Sequence, residues 1–259
     1  MSNFLDKIVA DKKARVEELM QRCSLEILAN QARGHRGLSL IDALLCDSVN
    51  IIAEIKRASP SQGDICMDVD VAKQAIIYET AGAKAISVLT EEKYFKGSAN
   101  DLLKVKDNVS IPVLRKDFTI SEYQIIESAA LGADVILLIV RILNDEQLAK
   151  YIALAKEYGL ESLVEVYDKD DLMRAKKAGA KLIGINNRNL SSFDVDIANS
   201  IEMVELLDDD MVAIAASGIF GRNDIQRNLE AGLHNFLVGQ SIMEAKNPET
   251  FIRELINAQ

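Results

Sequence analysis

Eight times from residue 49 onward, a short apolar run gives way to a segment of helical periodicity, and this alternation leaves the chain very few folds. The runs cover 49–56, 85–89, 112–116, 134–140, 161–166, 182–186, 212–216 and 235–239. The periodic segments cover 70–81, 99–107, 121–131, 144–158, 168–178, 196–206, 221–231 and 248–257. Such runs read as buried parallel strands, and the segments between them as crossover helices. Three helices are expected to end alike, at Ala81-Gly82-Ala83, Leu131-Gly132-Ala133 and Ala178-Gly179-Ala180, and Ala231-Gly232-Leu233 nearly repeats the pattern. A glycine there closes a helix in the left-handed conformation and passes the chain to a strand. Eight βα units predict a closed (β/α)8 barrel, the TIM barrel, for which roughly 250 residues is typical. An open doubly wound sheet is the alternative, but it calls for a Gly-x-Gly-x-x-Gly turn after the first strand, and none is present.

The segment before the alternation has a different character. Asn3 has the look of a helix N-cap with Asp6 three residues on, and Leu5, Ile8, Val9, Val16, Leu19 and Met20 fall on one helical face. Ser39 with Asp42 repeats the capping pattern ahead of Ile41, Leu44 and Leu45. Residues 1–47 are therefore expected to form a helical extension packed on a barrel of residues 48–259, within one domain, because so short a piece can hardly bury its own core.

Composition narrows the function. A net charge of −10 with no basic block disfavours nucleic acid as a partner, so any phosphate must be held by local groups against the global field. Cys23, Cys46 and Cys66 form no CxxC pair, and His35 and His234 have no metal-ligand spacing, which points to free thiols in a reducing cytoplasm and to no metal. The charged N-terminus does not read as a signal peptide, and no run approaches the ~18 apolar residues of a membrane span. The run Asp208-Asp209-Asp210 reads as a solvated turn, and Pro248 as the first residue of the last helix.

In a barrel of this kind the active-site groups sit at the C-terminal ends of the strands. Side chains alternate along a strand, so Ile52, Glu54 and Lys56 share one face. With Ile52 in the barrel core, Glu54 and Lys56 point into its mouth. The same alternation groups Leu114, Lys116 and Phe118 on the third strand and Leu163 with Glu165 on the fifth. The sixth strand ends in Asn186, Asn187 and Arg188. Any one of these reads equally well as a strand-end charge reaching solvent; four strands offering such groups at one end point to a shared site. A crowded Lys/Glu cluster can hold a protonated donor beside an ionised acceptor at neutral pH. At the last two strands, Ala215-Ala216-Ser217-Gly218 and Val238-Gly239-Gln240-Ser241 have the small, amide-rich character of phosphate loops, to which Ser59 and Arg188 add a hydroxyl and a charge.

Five segments in order carry a family likeness: Glu54-Ile55-Lys56-Arg57-Ala58-Ser59-Pro60-Ser61, Glu92-Lys93-Tyr94-Phe95-Lys96-Gly97-Ser98, Leu114-Arg115-Lys116-Asp117-Phe118, Leu163-Val164-Glu165-Val166 and Ile185-Asn186-Asn187-Arg188-Asn189-Leu190. They resemble indole-3-glycerol-phosphate synthase, and the likeness spans the whole chain, helical extension included. The resemblance implies a step of tryptophan biosynthesis: ring closure, decarboxylation and dehydration of 1-(2-carboxyphenylamino)-1-deoxyribulose 5-phosphate to indole-3-glycerol phosphate, without cofactor. It further implies Lys116 as proton donor, Glu54, Lys56 and Glu165 sharing the other proton transfers, and Lys56 facing the substrate carboxylate. Asn186 would bind a hydroxyl, while Ser59, Arg188, Ser217, Gly218, Gly239 and Gln240 would hold the phosphate and Phe95, Phe118 and Leu190 wall the aromatic ring. One departure stands out: the family usually has Glu where this chain has Ala216, which implies retuned or reduced turnover. Two other readings compete, a sibling barrel such as phosphoribosylanthranilate isomerase and a non-catalytic barrel that binds a phosphorylated metabolite. The carboxylate and lysine closing the first strand disfavour the isomerase, and only Ala216 favours the non-catalytic barrel. The small phosphorylated substrate is the one partner implied; no protein partner is indicated.

Overall fold

The computed structural model describes residues 4–45, 48–189 and 194–258, so Asn3, Cys46 and Leu190 lie outside the described residues. Eight strands form the barrel: β1 (Asn50–Ile55), β2 (Ala85–Leu89), β3 (Val113–Lys116), β4 (Val135–Ile139), β5 (Glu161–Val166), β6 (Leu182–Asn186), β7 (Val212–Ala216) and β8 (Asn235–Val238). They pair in chain order, each parallel to the next, and β8 closes on β1 through Asn50↔Asn235 to Ala53↔Val238. Each lies within two residues of its expected position.

The strands follow the expected alternation. Ile52, Leu114, Val135, Leu137, Leu163, Leu182, Ile214 and Leu237 fill the barrel interior. Their neighbours Ile51, Ala53, Val113, Ile136, Val164 and Phe236 face outward into the layer shared with the helices. That layer is supplied by α4 (Val71–Ala81), α5 (Ala99–Lys106), α6 (Glu122–Ala130), α7 (Asp145–Glu157), α8 (Lys169–Lys177), α9 (Ala198–Val204), α10 (Arg222–Leu229) and α12 (Pro248–Ile256), with the short α11 (Gln240–Glu244) between the last two. The four glycines expected to end helices all have positive φ, from 78° at Gly132 to 101° at Gly82. Asp208 to Asp210 are exposed, two of them paired with Lys176 and Lys181, and Pro248 opens α12.

The extension comprises α1 (Phe4–Arg22), α2 (Leu25–Gln31) and α3 (Leu40–Leu44). Helix α3 plugs the bottom of the barrel: Leu40 and Leu44 are buried within the interior cluster. Its first turn rests on the Glu161 carboxylate, which accepts from Ser39 Oγ at 2.7 Å and from the amides of Leu40 and Ile41 at 2.9 and 3.1 Å. The Ser39 hydroxyl in turn caps the amide of Asp42, as its spacing predicts. Helix α1 departs from expectation in one respect. Its buried residues are Leu5, Ile8, Lys12 and Val16, whereas Met20 is half-exposed. A lysine has replaced an apolar residue in the inward row, and the reason lies at the top of the barrel.

Candidate active site

Above the apolar interior, the C-terminal ends of the strands open into a cleft. Glu54, Lys56, Lys116 and Glu165 line it, as do Ser59, Phe95, Phe118, Asn186, Arg188, Ser217, Gly218, Gly239 and Gln240. Every residue to which the resemblance gives a catalytic or substrate-binding part therefore borders one space, apart from Leu190, which is outside the described residues.

Glu54 is the centre of the charge arrangement. Its Oε1 lies 3.1 Å from Lys56 Nζ and its Oε2 3.0 Å from Lys116 Nζ, and the Ser87 hydroxyl donates to Oε2 at 3.4 Å. Burial pushes this carboxyl up, but the two ammoniums more than offset that and bring its pKa to about 2. Lys116 is raised above the ordinary lysine value: burial lowers it, and the Glu54 and Glu165 carboxylates outweigh the burial. Glu165 is pushed the other way from Glu54. Burial raises its pKa, and Lys116 and the Asn186 hydrogen bond recover only part of the shift. The two carboxyls of the cluster are thus shifted in opposite directions, Glu54 down and Glu165 up.

Gly239 shows how tightly Glu54 is seated. A Cβ on that glycine would lie 2.5 Å from Glu54 Oε1 and 3.1 Å from its Cβ. The glycine that follows β8 therefore makes room for the carboxylate. Beside it, Ser217 and Gly218 turn the chain after β7 with φ of 69° and 82°. A serine in the left-handed region is uncommon and carries strain, held here by the Asn187 side chain, which donates to Ser217 O at 3.1 Å. Asn186 is engaged within the protein: its Nδ2 donates to Glu165 Oε1 at 3.1 Å and its Oδ1 accepts from the Arg188 amide at 2.9 Å. It thereby orients Glu165, a role its strand-end position did not announce. Ala216 lies in register with Asn186 and Leu237, which both border the cleft; it is itself 4% exposed and belongs to the interior cluster.

The apolar side of the cleft is formed by Phe95 and Phe118, with ring centroids 6.2 Å apart, and by Phe4, Leu5 and Ile8 of α1. Phe95 is held by a loop that folds back on β2. The buried Glu91 carboxylate accepts from the amides of Lys93, Tyr94 and Phe95 at 3.1, 2.6 and 3.0 Å. Sequence reasoning missed the α1 contribution, since an amphipathic stripe on an N-terminal helix reports burial but not what it is buried against. It also left out Phe220, which borders the cleft beside the β7 loop.

A family model described as indole-3-glycerol phosphate synthase matches residues 5–255. Among the relatives found, the indole-3-glycerol phosphate synthase of Desulfosudis oleivorans is 52% identical over 80% of this chain and 78% of that protein. That of Syntrophobacter fumaroxidans is 45% identical over the full length of this chain and 99% of its own. Solved structures with the same fold include a thiamine phosphate pyrophosphorylase from Pyrococcus furiosus (16% identity, TM-score 0.60, 82% of this chain and 95% of that one). Another is KGPDC from Streptococcus mutans (14% identity, TM-score 0.62, 81% of this chain and 97% of that one). At these identities they establish the barrel and nothing about its chemistry.

Proposed function

The chain belongs to the indole-3-glycerol phosphate synthase family, and we propose that it closes the indole ring of 1-(2-carboxyphenylamino)-1-deoxyribulose 5-phosphate with Lys116 as proton donor. The observation that carries the reading is Glu54 bridging Lys56 and Lys116 within one cleft that also has an aromatic wall and two amide-rich loops. The substrate is an anion at both ends and flat at one, and the cleft matches it in three parts. Phe95 and Phe118 flank the anthranilate ring, Lys56 faces its carboxylate, and Ser217, Gly218, Gly239 and Gln240 with Ser59 and Arg188 surround the phosphate.

In the first step the ring carbon bearing the carboxylate attacks the ketone carbon, and the ketone oxygen takes a proton from the Lys116 ammonium. A cation raised in pKa stabilises the developing oxyanion but parts with its proton only as that charge forms. Loss of carbon dioxide then returns the C–C bonding pair to the ring system, with the iminium nitrogen as electron sink. The new hydroxyl departs as water, needing one proton at oxygen and losing one from carbon. Glu165, whose carboxyl is raised above the ordinary glutamate value by burial, serves this last step. Glu54 stays charged and holds both lysines in place. Release of carbon dioxide from a C–C bond makes the enzyme a carboxy-lyase. No helix among the described residues is long and apolar enough to cross a membrane. With Cys23 and Cys66 free, a cytoplasmic location is the reading we favour.

The test is the Lys116→Met variant assayed for fluorescent indole product from the open-chain substrate. Binding should persist while turnover falls by roughly two to four orders of magnitude. Undiminished turnover would remove Lys116 from the mechanism, and a wild-type protein that binds substrate without releasing product would leave only the non-catalytic barrel.

A further inference from the structure

The lysine in the inward row of α1 is paired away from the Glu54 cluster. It forms a buried ion pair, Lys12 Nζ to Asp117 Oδ1 at 2.7 Å, with both side chains less than a tenth exposed. Asp117 directly follows Lys116 and precedes Phe118. Its carboxylate gathers three elements: Oδ1 accepts from the Phe118 amide at 2.8 Å, Oδ2 accepts from Thr90 Oγ1 at 2.7 Å just beyond β2, and Arg115 lies 3.7 Å from Oδ2. One turn and two turns back along α1 from Lys12, Ile8 and Leu5 border the cleft. The helix is tied down a second time, to the loop that carries Phe95. Asp11 binds Lys93 at 2.8 Å and the Tyr94 hydroxyl, Arg15 binds Glu92 at 2.8 Å, and Phe4 stacks edge-on against Tyr94.

Stability alone is a poor reason for this lysine. Two charges taken out of water recover little over an apolar pair of the same volume, and a methionine would continue the Leu5, Ile8, Val16 row. What the pair does offer is a directed, short link between the roof of the cleft and the strand end that carries the donor. We propose that Lys12 is a positioning residue: through Asp117 it locks the backbone from Lys116 to Phe118 to α1, so that the proton donor, the aromatic wall and the apolar roof keep one geometry. The proposal deepens the functional reading above and rests on Lys116 being the donor. Burial acts to raise the Asp117 carboxyl, and Lys12 with Arg115 overcome it and keep the group ionised, which maintains the link.

The experiment uses the full chain and the open-chain substrate, with Tm recorded for every variant. Lys12→Met should lower kcat by about 10- to 100-fold, the scale of a sub-ångström to 1 Å misplacement of a reacting group. Lys12→Arg, which keeps the charge, should restore most of that loss. Lys12→Met with Asp117→Asn removes the stranded charge and should regain stability without regaining kcat. On the Lys116→Met background, Lys12→Met should cost less in kcat than it does in the otherwise unchanged enzyme, because the part of its effect that passes through the donor is already gone. Wild-type kcat in Lys12→Met, recovery of kcat in the doubly neutral variant, or losses that multiply on the Lys116→Met background would each overturn the strut while leaving the donor assignment standing. Wild-type turnover in Lys116→Met would overturn both.

Discussion

At the scale of single residues, the site depends on where side chains are withheld as much as on where they are placed. Gly239 has no Cβ because the Glu54 carboxylate occupies that position, at 2.5 Å from where the atom would be. Gly239→Ala should therefore displace Glu54 and with it both lysines, lowering kcat by about 100-fold on the geometric argument, with only a modest change in Tm. Steady-state kinetics with a thermal melt checks this, and unchanged kcat would show that the carboxylate tolerates movement. The charged groups that line the cleft were readable because strand-end ionisable groups contradict a buried strand. Their pKa directions were not readable. Glu54 and Glu165 are the same residue type at equivalent strand ends, and they diverge because one lies between two ammoniums and the other against an amide.

At the scale of elements, α3 is the clearest case of a local signal with a distant purpose. Its Ser39 cap is visible in sequence, but the Glu161 carboxylate beneath it belongs to the start of β5, about 120 residues later. Removing that acceptor in Glu161→Ala leaves two amides and a hydroxyl in a partly buried place, at a cost of about 1–3 kcal/mol. For a chain of this size that corresponds to a Tm lower by roughly 2–12 °C. Since α3 closes the opposite end of the barrel from the cleft, kcat measured well below Tm should be unchanged; a large fall in kcat would mean that the two ends are coupled. The same distinction explains α1. Its helical period was legible, but whether the inward row met solvent, core or cleft depends on the loop 91–98 and on Asp117, which no local window contains.

At the scale of the whole molecule, an acidic chain gathers cations at its cleft. The net charge is −10, yet Lys56, Lys116 and Arg188 stand there beside the carboxyls of Glu54, Asp117 and Glu165, the last of them raised above its ordinary value. The anionic substrate we propose for this cleft would thus be recognised by local groups in low dielectric, against the surface field. The same groups set the pH dependence of stability. Glu54 falls from 4.5 to about 2 on folding, so its contribution is present above pH ~4.5 and is lost as pH drops toward 2; Asp117, also lowered, acts in the same direction. Glu165 is raised, so its ionisation opposes folding above its unfolded value. Tm should fall as pH drops from about 5 to 2, with a flatter acid limb in Glu54→Gln, and Glu165→Gln should be at least as stable as wild type at pH 7. Melts across pH decide it: an acid limb equally steep without Glu54 would contradict the assignment.

The amino-acid sequence determined by itself everything that follows from short-range periodicity. Eight apolar runs, the helices between them and the glycines that end four of those helices suffice for a closed barrel, because strand and helix periods act over a few residues and chirality leaves one way to connect them. The alternation even assigned Glu54, Lys56 and Lys116 to the right face. Only the tertiary structure decided what those groups are to one another. The Glu54–Lys116 pair spans 62 positions and the Lys12–Asp117 pair 105, and the interaction of two charges depends on their separation and on the water excluded between them. Those quantities exist only once the barrel has closed and α1 lies across it.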